Sequence, residues 1–132
     1  MLELPVIWAD QDAMGHVNNT VFLRWFESAR IAYLERLDLL HDPDRSSIAP
    51  ILASVTCDFR QQVRYPDTVL IGASVERIGN SSLTVRHRVT SRSTGQVVAE
   101  GQSVMVLFDY EAQRSVPIST KLRSAIGELG GA

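Results

Sequence analysis

The chain has 132 residues, 45% of them hydrophobic and 21% charged, which are the proportions of a soluble globule. That length suits one domain spanning 1–132, with a core adequate without metal or disulfide staples. A net charge of −2 argues against nucleic acid or an anionic membrane as partner. No run approaches the ~20 apolar residues of a membrane helix. Met1-Leu2-Glu3-Leu4-Pro5 has neither the basic nor the apolar region of a secretory signal, so none is expected. The single Cys57 permits no internal disulfide, which fits a cytoplasmic protein.

Leu2 to Trp8 is apolar and partly β-branched and reads as a strand, with Pro5 placing it at a sheet edge. Ala9 to Val17 reads as a loop. A helix is expected from Asn18 or Asn19 to about Leu39. Phe22, Trp25, Phe26, Ala29, Ala32, Tyr33 and Leu37 recur at spacings of three and four, while Arg24, Glu27, Arg30, Glu35 and Arg36 mostly fall on other faces. His41 to Ser47 is polar and reads as a loop.

Beyond residue 50 the period changes to two. Ile51, Ala53, Val55, Cys57, Phe59 and Val63 form one apolar face of a long strand. After the turn Tyr65-Pro66-Asp67, Val69, Ile71, Ala73 and Val75 alternate. After Gly79-Asn80-Ser81, so do Leu83, Val85, His87 and Val89. Ser93-Thr94-Gly95 turns into a last strand, Val97 to Phe108. Its second half is apolar on both faces and predicts a central position, or cover on both sides. A short helix from Ser119 should turn Leu122, Ala125, Ile126 and Leu129 inward, with Gly130-Gly131 ending it. The order β, long α, then four antiparallel strands excludes a doubly wound parallel sheet. It predicts an α+β fold with one long helix against a five-stranded antiparallel sheet.

The stretch Trp8 to Phe22 carries the chemistry. Two aspartates, Asp10 and Asp12, stand one apart. Gly15 supplies a turn, and Asn18-Asn19 can start the helix, since an Asn side chain accepts a first-turn N–H. A carboxylate facing a helix N-terminus sits beside free N–H groups and the positive end of the dipole, where an oxyanion can be held. The run Asp10-x-Asp12-x-x-Gly15-His16-Val17-Asn18-Asn19, followed by an aromatic and Phe26-Glu27-x-Ala29-Arg30, resembles the hotdog-fold acyl-CoA thioesterases of the 4-hydroxybenzoyl-CoA thioesterase-like group. The strand pattern extends the likeness over nearly the whole chain.

By residue type alone, Asp12 could be a loop-capping aspartate. The resemblance implies that it is the base or nucleophile acting at the thioester, and that the Asn19 backbone N–H polarises the carbonyl. Asp10 reads as a brace for the loop, and Gly15 as a position of close approach or positive φ. Asn18 or Asn19 caps the helix, and His16 contacts substrate, supplies a proton or bonds within the loop. Glu27 and Arg30 can pair on the helix. His87 and Cys57, on apolar faces, read as core residues. The Cys and three His are not spaced as metal ligands, so neither a metal site nor a cofactor is expected.

The turn Gly79-Asn80-Ser81-Ser82 aligns with one that contacts coenzyme A in some relatives, often through basic residues that are absent here. Phosphate binding would then fall to Arg64, Arg88, Lys121 or Arg123, or be weak, which leaves acyl carrier protein open as the carrier. The expected activity is hydrolysis of an acyl or aryl thioester to free acid and thiol. The expected assembly is a homodimer or dimer of dimers with the site shared between chains. The rivals are a hotdog hydratase or dehydratase, whose His with an acidic partner is not found, and a non-catalytic acyl-thioester binding module.

Overall fold

In a computed structural model, residues 1–39 and 47–129 are described. The strands are β1 (Leu2–Pro5), β2 (Ile48–Phe59), β3 (Thr68–Ile78), β4 (Ser82–Ser91), β5 (Val97–Asp109) and the two-residue β6 (Arg114–Ser115). The helices are α1 (Asn19–Arg36) and α2 (Thr120–Glu128). All neighbouring strands pair antiparallel, in the order β1-β3-β4-β5-β2, with β6 added on β5. The five main strands curl over α1, and this is the hotdog architecture. Neither described helix is long and apolar enough to cross a membrane.

α1 starts where the Asn18 side chain accepts the Thr20 N–H at 2.9 Å. It ends earlier than its apolar spacing predicts, at Arg36 rather than Leu39. Asp38 takes a positive φ of 55°, the Leu39 N–H returns to Leu34 O, and the Asp38 N–H to Glu35 O. That double closure stops the helix. Phe22, Trp25, Phe26, Ala29, Tyr33 and Leu34 are buried, giving two apolar clusters along the rod. The second cluster is closed by Ile118 and by Ile126 of α2, whose N-cap is Ser119 as its sequence suggests. The proposed glycine stop at Gly130-Gly131, and most of the loop from His41, lie outside the described residues.

Three strand expectations need correction. β1 ends at Pro5, because Trp8–Asp10 forms a single 3-10 turn closed by the Asp10 N–H on Ile7 O. β2 ends at Phe59 rather than Val63, where the Arg60 and Gln61 N–H groups both turn onto Val98 O. The β2 register also skips Ala53. Ile51, opposite Val106, therefore lies on the other face from Val55 and Cys57, opposite Ser103 and Gly101. β5 is central, between β4 and β2, and its alternating burial shows that only one face of its apolar half meets the core.

The helix reaches the sheet most closely at Gly101. A Cβ there would lie 2.6 Å from the Phe26 ring and would run into the Thr56 carbonyl of β2. Gly101→Ala should therefore cost about 1–3 kcal/mol through overpacking, a fall of several degrees in Tm for a chain of this size. Thermal unfolding followed by circular dichroism checks this, and an unchanged Tm would contradict the packing.

One polar group under α1 is not predicted by periodicity. Arg30 is buried, and its guanidinium donates to Ser103 Oγ at 2.9 Å; Ser103 Oγ in turn lies 2.7 Å from His87 Nε2. His87 is wholly buried and stacks on Phe26 with centroids 4.6 Å apart. The simplest proton assignment has Ser103 donating to Nε2, so the ring is neutral with its proton on Nδ1. Nδ1 faces the Gly72 backbone without a full hydrogen bond. Burial, and then the positive charge of Arg30, push the His87 pKa down to about 4.

An unfolded histidine titrates near 6.5. The unfolded chain thus binds the extra proton first, and stability falls as pH drops from about 6.5 to about 4, by on the order of 3 kcal/mol from this group. Urea unfolding between pH 7 and pH 4.5 should show a steeper loss of stability in the wild type than in His87→Leu. Equal slopes would contradict the assignment.

Candidate active site

The site is built from the loop between β1 and α1. Asp10 fixes it from below. Its carboxylate is buried, accepting the Ile7 N–H on Oδ2 at 3.0 Å and the Arg24 guanidinium on Oδ1 at 2.7 Å. The Asn18 N–H returns to Asp10 O at 2.9 Å. Asp10 therefore ties the loop to α1 and to its own 3-10 turn, as its reading as a brace expects. The Arg24 arm was not foreseen.

Above that anchor the chain reverses over Asp12 to His16. The Asp12 N–H donates to His16 O at 2.8 Å, the Gly15 N–H to Asp12 O at 3.1 Å, and Gly15 takes φ 81°. That conformation suits glycine and strains any other residue. Asp12 is exposed. Its Oδ1 accepts the Met14 N–H at 2.8 Å and, more weakly, the His16 N–H at 3.4 Å. The loop is stitched to the chain after β2: the Val17 N–H donates to Val63 O at 2.8 Å, and the Tyr65 N–H to Gln11 Oε1 at 3.3 Å. Arg64 Nη2 lies 3.0 Å from His16 Nε2. Because a guanidinium only donates, His16 is the acceptor in this pair, and its ring proton is on Nδ1.

A cavity of about 240 Å³ opens between these segments, lined by Asp12, His16, Asn19, Phe22, Phe59 and the polar run 60–62 among others. Asn19 is the first residue of α1, and its N–H has no partner among the described residues. Asp12, His16 and Asn19 thus meet in one pocket, while Asn18 is spent on the helix cap and Gly15 on the turn. Phe22 walls the pocket, and Trp25 supports it from behind with ring centroids 5.0 Å apart. Phe59 meets Phe22 edge-on at 5.3 Å and is 44% exposed, so this side of the pocket is open.

The residues expected to bind the carrier do not gather here in one chain. Arg64 is adjacent, through His16. Arg88 points to the outer face of the sheet and bonds Glu100 at 3.2 Å. Asn80, Ser81 and Ser82 turn between β3 and β4, where β4 meets Val106 of β5, whereas Phe59 meets Ala99 at the other end of β5. The turn is held by Arg123, which donates to Gly79 O at 2.8 Å, so this cation serves the fold. The wall formed by Phe59, Arg60, Gln61 and Gln62 was missed because β2 was read through to Val63. The break in alternation at Arg60-Gln61-Gln62 was the available signal.

The curled sheet over one helix, with an aspartate turn against the helix N-terminus, defines a hotdog protein of the thioesterase type. Residues 6–126 match the model of the Thioesterase-like superfamily, and the chain belongs to that family. It is 25% identical over 118 residues to the long-chain acyl-CoA thioesterase FadM of Escherichia coli strain K12, covering 89% of each chain. A thioesterase from Thermus thermophilus, solved with coenzyme A and zinc, superposes with a TM-score of 0.84 at 33% identity, over 99% of this chain and 94% of that one. PA2801, a putative thioesterase from Pseudomonas aeruginosa, gives 0.84 at 31% identity over 95% of each.

If Asp10 is the anchor, Asp10→Asn should cost about 1.5–3 kcal/mol, because its amide cannot replace the charged acceptor shared by Arg24 and Ile7. Arg24→Ala, at a half-exposed partner, should cost less. Paired urea titrations check the order, and a neutral Asp10→Asn would remove the anchor.

Proposed function

We propose that the protein hydrolyses acyl thioesters, with coenzyme A the favoured carrier, to a carboxylic acid and a free thiol. The observation that carries this reading is the meeting, in one pocket walled by Phe22 and Phe59, of the exposed Asp12 carboxylate and the Asn19 N–H, which has no partner among the described residues. Asp12 takes a proton from water as the water oxygen attacks the thioester carbon, or attacks that carbon itself to give an anhydride that water then opens. The carbonyl oxygen, now an oxyanion, lies against the Asn19 N–H and the N-terminus of α1. Collapse of the tetrahedral intermediate expels the thiolate. His16, held with Nε2 as acceptor by Arg64, positions the pocket wall rather than supplying a proton.

The reading includes a homodimer paired along β2, itself able to associate further. Among the described residues the 12-residue β2 pairs on one side only, and it exposes Leu52 and Phe59. A long open edge of this kind invites pairing. Antiparallel pairing of two β2 strands would set the Gly79–Ser82 turn of one copy near the Asp12 pocket of the other, which would unite the two groups that one chain keeps apart.

Asp12→Asn should lower kcat by two or more powers of ten while acyl-CoA still binds, because an amide neither takes a proton at neutral pH nor attacks a carbonyl well. Thiol release over a series of acyl- and aryl-CoAs, with kcat and KM measured separately, provides the test. Near-normal kcat in the variant would sink the role of Asp12. Binding without hydrolysis by the wild type would favour a thioester-binding module.

A further inference from the structure

The segment between β2 and β3, residues 60–67, is a strap that reaches the Asp12 loop at three points. The Val17 N–H donates to Val63 O at 2.8 Å, the Tyr65 N–H to Gln11 Oε1 at 3.3 Å, and Arg64 Nη2 to His16 Nε2 at 3.0 Å. The strap has little packing of its own. Of residues 60–66 only Val63 is buried, and the segment lines an open cavity of about 570 Å³ together with Ser91, Ser93 and Thr94. Its hold on the fold is therefore at its ends. At the first, the Arg60 and Gln61 N–H groups turn onto Val98 O. At the second stands Asp67.

Each carboxylate oxygen of Asp67 takes two donors. Oδ1 accepts the Thr68 N–H at 2.7 Å and the Ser93 N–H at 3.1 Å. Oδ2 accepts the hydroxyls of Ser91 and Ser93, the latter at 3.0 Å. Ser91 is buried at the end of β4, so the carboxylate is tied to the sheet itself. The Asp67 carbonyl accepts the Val6 N–H at 2.8 Å, where the chain leaves β1 for the Asp12 loop. Burial alone would raise the pKa of Asp67. The bonds from Ser91, Ser93 and Thr68 outweigh that and hold it below the usual carboxylate range. It therefore stays ionised at neutral pH, and bonds to a charged acceptor are the stronger kind.

We propose that Asp67 is a positioning residue for Asp12, a role that rests on Asp12 being the reacting group. Asp67 clamps the strap to the end of β4, and the strap sets the place of the Asp12 turn relative to the Asn19 N–H. The division of labour with Asp10 is visible in the bonds. Asp10 ties the two ends of the loop, at Ile7 and Asn18, whereas the strap ties its middle, at Gln11, His16 and Val17. Asp12 lies within that middle part. Asp67 lines the cavity beside the strap and not the pocket at Asp12, so it acts through the strap and touches no reacting atom.

The test pairs kinetics with amide hydrogen exchange. Asp67→Ala should lower kcat for acyl-CoA hydrolysis about 10- to 100-fold and change KM less than about threefold, as a small displacement of a reacting group does. Ser93→Ala, which removes one of the four donors at an exposed residue, should act in the same direction and by less. In the Asp12→Asn background, Asp67→Ala should change the residual rate by less than about twofold, since the group it positions is already gone. Exchange at the Val17 amide should quicken about tenfold or more, while the Arg123 amide of α2 stays as it was. A normal kcat in Asp67→Ala overturns the proposal. So does an equal loss of rate in both backgrounds, which would mean that Asp67 only maintains the folded fraction. If the wild type hydrolyses no thioester, exchange at Val17 decides: faster exchange in Asp67→Ala keeps the clamp on the loop, and unchanged exchange removes it. Should Asp67→Ala fail to fold, Asp67→Asn carries the same comparisons with smaller effects, because its amide keeps one oxygen for the two N–H donors and loses the charge.

Discussion

Everything in this fold follows from the need to bury a single 18-residue helix with one sheet. The contact is tightest where Gly101 lets the Phe26 ring lie directly on β5, beside the Thr56 carbonyl. From there the sheet curls both ways, through β4 and β3 to the short β1, and through β2 on the other side. This sheet curls around one helix without closing on itself. It ends in a four-residue edge containing Pro5 on one side and a twelve-residue edge on the other. The pocket at Asp12 opens beside the second of these, where Phe59 is left half in solvent.

The same geometry explains how an exposed loop can hold a fixed shape. Asp10 is sunk against α1 and Arg24, and Val17 and Gln11 tie the loop to residues 63–65. Between these ties the Asp12 turn has little freedom. The first residue of α1, whose N–H has no partner among the described residues, therefore stands at a set place relative to the carboxylate. Such preorganisation is what oxyanion stabilisation requires, since donors that must reorganise lose much of their value.

Much of this was legible in the sequence, for identifiable reasons. The change of period at residue 50 marked the helix-to-sheet transition because burial on one face of each element leaves that trace. Pro5 marked an edge, and Asn18 and Ser119 marked helix starts, because their chemistry acts locally. Features set by tertiary contact were not legible. Arg30 lies in the core because Ser103, 73 residues away, accepts from it. Ile51 changes face because the register skips Ala53. At the site, Asp12, His16 and Asn19 were legible as one contiguous run, whereas the Phe59–Gln62 wall depends on where β2 stops. The Gly79–Ser82 turn could be recognised as a turn, but its distance from Asp12 is decided by strand register.

The central claim is that one chain supplies the reacting group and a second completes the pocket along β2. Light scattering at micromolar concentration, with specific activity followed on dilution to nanomolar, tests it most directly. The account predicts a dimer or larger assembly whose specific activity falls as it dissociates. A monomer that keeps full specific activity would contradict it.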